Sequence, residues 1–499
     1  MTYINHRHLV IFFCILIFSS ACKKRPVQKD RPNLLIIHTD EHNFRTLGCY
    51  RKTLPADQGF VWGENIEVET PNIDFIADNG ALCTSYYAAT PVCAPSRASL
   101  MSGRYPQNTS VVTNDIPMDD KIVTFAELLR RQGYESGYAG KWHLDGTGKP
   151  QWAPARKFGF SDNRYMFNRG HWKQLEDTEQ GPRVASRGSN DQPDYSIKGA
   201  DERNFTTDFL TRKIIDFITK KRSNPFCFMV SYPDPHGPNT VRAPYDTMFD
   251  HLDFQKPKTA FKDTVGLPEW AEVSKKTINS HQMARYFGMV KCLDDNVGKI
   301  LDALRQTDQL ENTIIVFTSD HGDLCGEHGK DNKGNPLEAS AKIPFLLHYP
   351  GKVKEGLIIN QALSTVDFLP TILSLMDVPT ANKEQGRDAS ELFASGAVAP
   401  EWKDVIFLRG TGSRDNKPDI NWLAAVTDRY KLVFSPKDKP WLFDLVEDPH
   451  ELENHFENPK YKNTISELAK SIIEYGEKYD DPRIHMTKFR EELEEALNQ

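Results

Sequence analysis

Short apolar runs alternate along this chain with longer stretches in which apolar side chains recur at helical spacing, the pattern of a largely parallel sheet covered by helices on both faces. Residues 33–39, 226–231, 314–318 and 343–349 are β-branched or aromatic runs and are expected to be strands. In 283–305, Tyr286, Met289, Val290, Leu293, Val297, Ile300 and Leu304 fall on one face, which predicts a long helix whose stripe belongs to the core. Segments 123–132, 205–221 and 366–376 read as helices by the same test. Polar stretches 181–202 and 411–419, rich in Gly, Ser, Asp and Asn, are expected to be loops. Toward the end, 422–426, 430–434 and 441–445 are short alternating runs separated by turns, which predicts a small antiparallel sheet. The expected architecture is therefore α/β: a large, mostly parallel mixed sheet sandwiched by helices over residues 32–380, then a smaller subdomain of antiparallel sheet plus helix over 381–499.

Only the beginning departs from this pattern. Arg7 precedes an apolar run from Leu9 to Phe18, followed by Ser19, Ser20, Ala21 and Cys22. That run is too short to span a bilayer and has the layout of an export signal over residues 1–21, with 22–31 as a linker. Cys22 after Ala21 resembles a bacterial lipoprotein box, although Ser19 stands where leucine is usual; Ser19 and Ala21 also suit ordinary signal cleavage. The expected location is the periplasm or cell surface, with the membrane touched only through a lipid on Cys22.

Length and charge narrow the partners. At 499 residues the chain can bury a sizeable core, and 62 basic against 69 acidic residues give a net charge of −7 with no global basic field, so a nucleic-acid partner is not expected. There are 8 cysteines without the dense spacing of a disulfide framework. With Cys14 leaving in the signal, Cys22 given to lipid and Cys93 to chemistry, Cys49, Cys83, Cys227, Cys292 and Cys325 remain, a set that cannot all pair within one chain.

Three expected strands run directly into polar clusters, Asp40-Glu41-His42, Asp234-Pro235-His236 and Asp320-His321-Gly322, and open α/β sheets bind ligands beyond the carboxyl ends of their strands. The most informative stretch is Cys93-Ala94-Pro95-Ser96-Arg97, continuing to Ser102-Gly103-Arg104. Pro95 suits a first helical turn, whose backbone N–H groups attract anions.

This stretch closely resembles the signature of type I sulfatases, members of the alkaline phosphatase superfamily, and the resemblance runs from Arg31-Pro32-Asn33 to Leu442-Phe443-Asp444. Gly140-Lys141-Trp142-His143, Pro235-His236, and His328-Gly329 with Lys333-Gly334 and Glu338 resemble the other site segments in order. The resemblance implies that Cys93 is oxidised to formylglycine by a maturase that reads Pro95 and Arg97. It also implies that Lys141 and Lys333 grip the sulfate, that Arg97 neutralises charge on the metal side, that His143 contacts the formylglycine hydrate, and that His236 protonates the leaving oxygen. Asp40, Glu41, Asp320 and His321 occupy the family's calcium-ligand positions. Glu41 stands where many relatives have Asp or Gln and His321 where many have Asn, and imidazole is a poor ligand for a hard cation.

The implied activity is hydrolysis of sulfate esters on a sulfated polysaccharide or oligosaccharide, glycosaminoglycan-like or an algal galactan. Arg164, Tyr165, Arg169, His171, Trp172 and Lys173 mix basic and aromatic groups suited either to an acidic sugar chain or to a solvated loop. Phosphatases and phosphonate monoester hydrolases share the fold; two-metal phosphatases need further metal ligands where this chain has lysines. A non-catalytic glycan-binding lipoprotein would keep the fold and lose the catalytic side chains, none of which is missing.

Overall fold

In the computed structural model, residues 31–261, 266–273, 278–381, 383–411 and 422–498 are described. The expected export segment 1–21, Cys22 and the linker up to residue 30 lie outside the described residues, as does 412–419 of the expected loop 411–419.

The strand Asn33–Asp40 is buried along its whole length. Its alternating side chains go to two different cores: Leu34 and Ile36 join one cluster, Leu35 and Ile37 the other. A period of two thus divides the apolar run between two helical layers. Helices Cys93–Ser102, Phe125–Arg131 and Phe368–Leu375 contribute to the first core, and Thr206–Ile218 and Ser280–Gln306 to the second. The long helix buries the expected stripe and is capped by Asn279 and Gln282, each side chain bonding the other's backbone N–H.

The eight-stranded sheet runs in the order 357–359, 81–83, 345–348, 313–319, 33–40, 226–235, 135–141, 162–167. Asn33–Asp40 lies parallel between Thr313–Ser319 and Phe226–Pro235, and Glu135–Lys141 pairs parallel with Phe226–Pro235. Phe345–His348 is antiparallel to both its neighbours. Glu135–Lys141 carries Ser, Ala and two glycines, so its strand character is not visible in composition. Tertiary pairing imposes it: at Gly140, with φ 111°, a Cβ would lie 1.9 Å from the Ser231 carbonyl oxygen, so only glycine permits the approach.

The small sheet has four antiparallel strands, Ile406–Arg409, Leu423–Val426, Tyr430–Ser435 and Asp438–Asp444. The first was not expected, because the run Ile406-Phe407-Leu408 is too short and too uniformly apolar to show a period of two in sequence. One face packs on helices Lys462–Tyr479 and Thr487–Leu497, the other on Leu324, Leu337 and Ala339. Within the stretch 181–202, expected to be loop, Gly181–Val184 forms a hairpin with Leu175–Thr178. The described cysteines are all free thiols, and no helix among the described residues is long and apolar enough to cross a membrane.

Candidate active site

The parallel strands end together. Register sets Asp40 opposite Pro235 and Thr39 opposite Ser319, so Asp40-Glu41, His236 and Asp320-His321 emerge side by side, with Lys141 ending the next strand. A bulge between His38 and Asp40 and the left-handed backbone of Glu41, φ 62°, turn the chain at that edge. The two strand ends are tied by the Glu41 and His321 N–H groups, which both donate to Asp320 Oδ1 at 3.1 and 2.9 Å.

Arg97, fully buried, bridges the two aspartates. Its Nε donates to Asp320 Oδ2 at 2.9 Å, one terminal nitrogen to Asp40 Oδ2 at 3.2 Å, and the other to the Lys141 carbonyl at 2.7 Å and Ser231 Oγ at 2.8 Å. Burial pushes the Asp40 carboxyl up, but the Lys141 ammonium, which also donates to Asp40, and the Arg97 guanidinium hold it well below the usual range. Asp320 is likewise held low, against its own burial and the repulsion of Asp40, by the Arg97 guanidinium that donates to it. Both carboxylates are therefore ionised.

Cys93 opens a ten-residue helix in which every residue is buried and which ends on the left-handed Gly103. Its Sγ lies 3.2 Å from His321 Nε2 and 4.0 Å from Asp40 Oδ1. Burial pushes the thiol up to about 11, so it is neutral near pH 7. His321 Nδ1 donates to the Gly322 carbonyl at 2.9 Å, which leaves the Nε2 lone pair facing the cluster. Ligating atoms of Asp40, Cys93, Asp320 and His321 lie within 4.8 Å of one another. Two ionised carboxylates provide hard oxygen donors and a tautomer-locked imidazole a third ligand, so this set fits a divalent cation.

Glu41, expected among the ligands, is not in that group of four. Its carboxylate accepts from Lys333 Nζ at 2.8 Å and lies 3.0 Å from His236 Nε2. Lys333 also donates to His236 Nε2 at 2.9 Å, while His236 Nδ1 donates to the Gly237 carbonyl at 2.8 Å. Burial, then the Lys333 charge, hold His236 well below the usual imidazole range. His143, buried and left-handed at φ 62°, lies 3.6 Å from Asp115 Oδ1; burial, then the charges of Lys141 and Arg97, keep it neutral.

The basic-aromatic segment divides. Lys173 is fully buried against Asp234 at 2.7 Å, Trp172 is buried and stacked on Tyr195, and Arg169 pairs with Asp115 at 2.9 Å. His171 reaches into the site, its Nε2 lying 2.8 Å from Lys141 Nζ. Neither His171 nor Asp115 stands in a motif; both arrive through loops that tertiary packing brings to the strand ends.

A model of the sulfatase family matches residues 32–378, and one of the C-terminal part of N-sulphoglucosamine sulphohydrolase matches 326–478. The chain is 26% identical over 493 residues to an ulvan-active sulfatase of Formosa agariphila, spanning 96% of this chain and 89% of that one. It is 24% identical over 550 residues to an N-acetylglucosamine-6-O-sulfatase of Bacteroides thetaiotaomicron, spanning 96% and 92%. A solved structure of a protein in complex with its substrate D-glucosamine-2-N,6-O-disulfate superposes with a TM-score of 0.73 at 22% identity, over 91% of this chain and 99% of that one, a likeness of fold.

Proposed function

Because the chain belongs to the sulfatase family and is a sulfuric ester hydrolase, we propose that it removes sulfate from a sulfated polysaccharide or its oligosaccharides, with formylglycine at position 93 and a calcium ion held by Asp40, Asp320 and His321. The observation that carries this reading is the buried cluster: Cys93 sits 3.2 Å from His321 and beside Asp40, with the Lys141 and Lys333 ammonium charges acting on it.

A thiol raised to about 11 is a poor nucleophile at neutral pH, whereas a hydrated aldehyde on the same carbon supplies one hydroxyl to attack sulfur and a second whose deprotonation expels sulfate. The calcium ion would supply Lewis acidity at that end of the site. Lys141 and Lys333, each anchored by a carboxylate and a histidine, offer their remaining N–H donors to the sulfate oxygens. Arg97 keeps the two aspartates together and ionised. Neutral His236, its Nε2 accepting from the Lys333 ammonium, takes that proton and passes it to the departing ester oxygen, and neutral His143 accepts one from the second hydroxyl. A second Asp/His group, Asp40 with His171 and His236, is threaded by the two lysines, which supply positive charge where a two-metal phosphatase would hold its further ion.

The relatives' substrates support a sulfated glycan, and the apolar run from Leu9 with Cys22 after Ala21 supports export to the periplasm or cell surface with a lipid on Cys22. The test is sulfate release from defined sulfated oligosaccharides by protein co-expressed with a formylglycine-generating maturase. Release is expected to stop on chelation and return with calcium; undiminished release after exhaustive chelation would exclude the metal.

A further inference from the structure

Between the strands Asp162–Phe167 and Leu175–Thr178 the chain passes over the site and delivers one side chain to it. Its backbone is pinned on either side of that residue. Trp172 is stacked on Tyr195 with centroids 4.8 Å apart, and its indole N–H donates to the Arg169 carbonyl at 3.0 Å. Lys173 Nζ donates to Asp234 Oδ1 at 2.7 Å and to the His236 carbonyl at 3.4 Å, and Asp234 Oδ2 accepts from Thr207 Oγ1 at 2.7 Å. The Lys173–Asp234 pair, buried at both ends, ties a point two residues after His171 to a point two residues before His236.

The consequence is a face-to-face stack. The His171 and His236 rings have centroids 3.5 Å apart and planes within 9°. His171 Nε2 accepts from Lys141 Nζ at 2.8 Å and lies 3.7 Å from Asp40 Oδ2. The sulfate-side lysine and the leaving-group histidine, on different strands, are thus both held by one ring.

We infer that His171 is a positioning residue for sulfate-ester hydrolysis: Nε2 fixes the direction of the Lys141 ammonium, and the ring face fixes the plane of His236. This rests on the roles given above to Lys141 and His236. A lysine has three donors on a flexible stem. With Asp40 and His171 taking two, the third has a set direction for a sulfate oxygen. A histidine that exchanges a proton with a leaving oxygen needs its Nε2 aimed, and the stack prevents rotation out of that plane.

Three variants separate the two contacts. His171→Phe keeps a flat ring without the acceptor, His171→Gln keeps an acceptor without the ring, and His171→Ala loses both. Steady-state kinetics on a sugar sulfate and an aryl sulfate, with thermal midpoints, are the readouts. His171→Phe is expected to raise KM roughly tenfold on both substrates, the value of one hydrogen bond to a charged group, with the sugar-to-aryl kcat ratio unchanged. His171→Gln is expected to keep KM within about twofold and to lower kcat on the sugar sulfate about tenfold while sparing the aryl sulfate. His171→Ala should show both defects at an unchanged midpoint. An active wild type whose variants all stay within about twofold of it overturns the inference, as do equal losses on both substrates that track a falling midpoint. A matured wild type that releases no sulfate overturns the functional reading itself, and this inference with it.

Discussion

Glu41 brings Lys333 and His236 together at one carboxylate. Its carboxylate accepts from Lys333 Nζ at 2.8 Å and lies 3.0 Å from His236 Nε2, and burial raises it to about 7 despite the Lys333 charge. Lys333 and His236 are thereby held as a pair. Poor leaving groups such as sugar alkoxides need a proton and activated phenolates hardly do, so His236→Ala is expected to cut kcat on sugar sulfates about a hundredfold or more and on aryl sulfates far less. Steady-state comparison of the two substrates checks this, and equal losses would remove His236 from the leaving-group side. At this scale the sequence carries most of the information. Cys93, Arg97, Lys141, His236, Asp320 and His321 lie in short segments at strand ends or a helix start, so order along the chain already suggests their convergence. His171 carried no such signal, because its place depends on the Lys173–Asp234 pair across the fold, and the turn of Glu41 depends on a backbone angle that side-chain identity does not encode.

Among elements, the small sheet does more than complete the fold. Lys431, buried on its third strand, donates to the Pro336 carbonyl at 2.7 Å, Glu338 Oε1 at 2.7 Å and Glu451 Oε1 at 2.9 Å, and Trp422 Nε1 donates to the Gly334 carbonyl at 3.2 Å. The segment so clamped begins one residue after Lys333. Lys431→Met removes the cation bonded to both Glu338 and Glu451, leaving Lys342 at 3.1 Å from Glu338, and is expected to cost about 3–5 kcal/mol of stability. Burial would raise Glu338, but Lys431 and Lys342 depress it from 4.5 to about 2. A depressed carboxyl contributes stability that is fully present above its unfolded value and is lost as pH falls through the folded one. Burial raises Glu451 instead, so the stability it contributes fades at higher pH; the Glu338 share of the gap in thermal midpoint between wild type and Lys431→Met should narrow as pH falls from 4.5 toward 2, and a gap constant across that range would place the effect outside this ion pair. The β-branched runs at 33–39, 226–231 and 314–318 are legible as strands because burial on both faces demands continuous apolar sequence. Glu135–Lys141 and Ile406–Arg409 are not, since neighbours across the sheet, and not their own propensities, hold them extended.

At the scale of the whole molecule, the sheet gathers strand ends from positions 40, 141, 235 and 319 around one helix start. That helix, from Cys93 to Ser102, is buried along its entire length, Pro95 and Arg97 included. The proposed maturase would therefore reach Cys93, Pro95 and Arg97 only before the chain folds. The central claim is that residue 93 works as an aldehyde hydrate and not as a thiol. Intact-mass spectrometry of the peptide containing residue 93, set beside turnover for preparations made with and without a maturase, tests it most directly. The account predicts that turnover per chain rises in proportion to the aldehyde fraction and is nil where residue 93 is wholly thiol; sustained sulfate release by a preparation whose Cys93 is entirely thiol would contradict it.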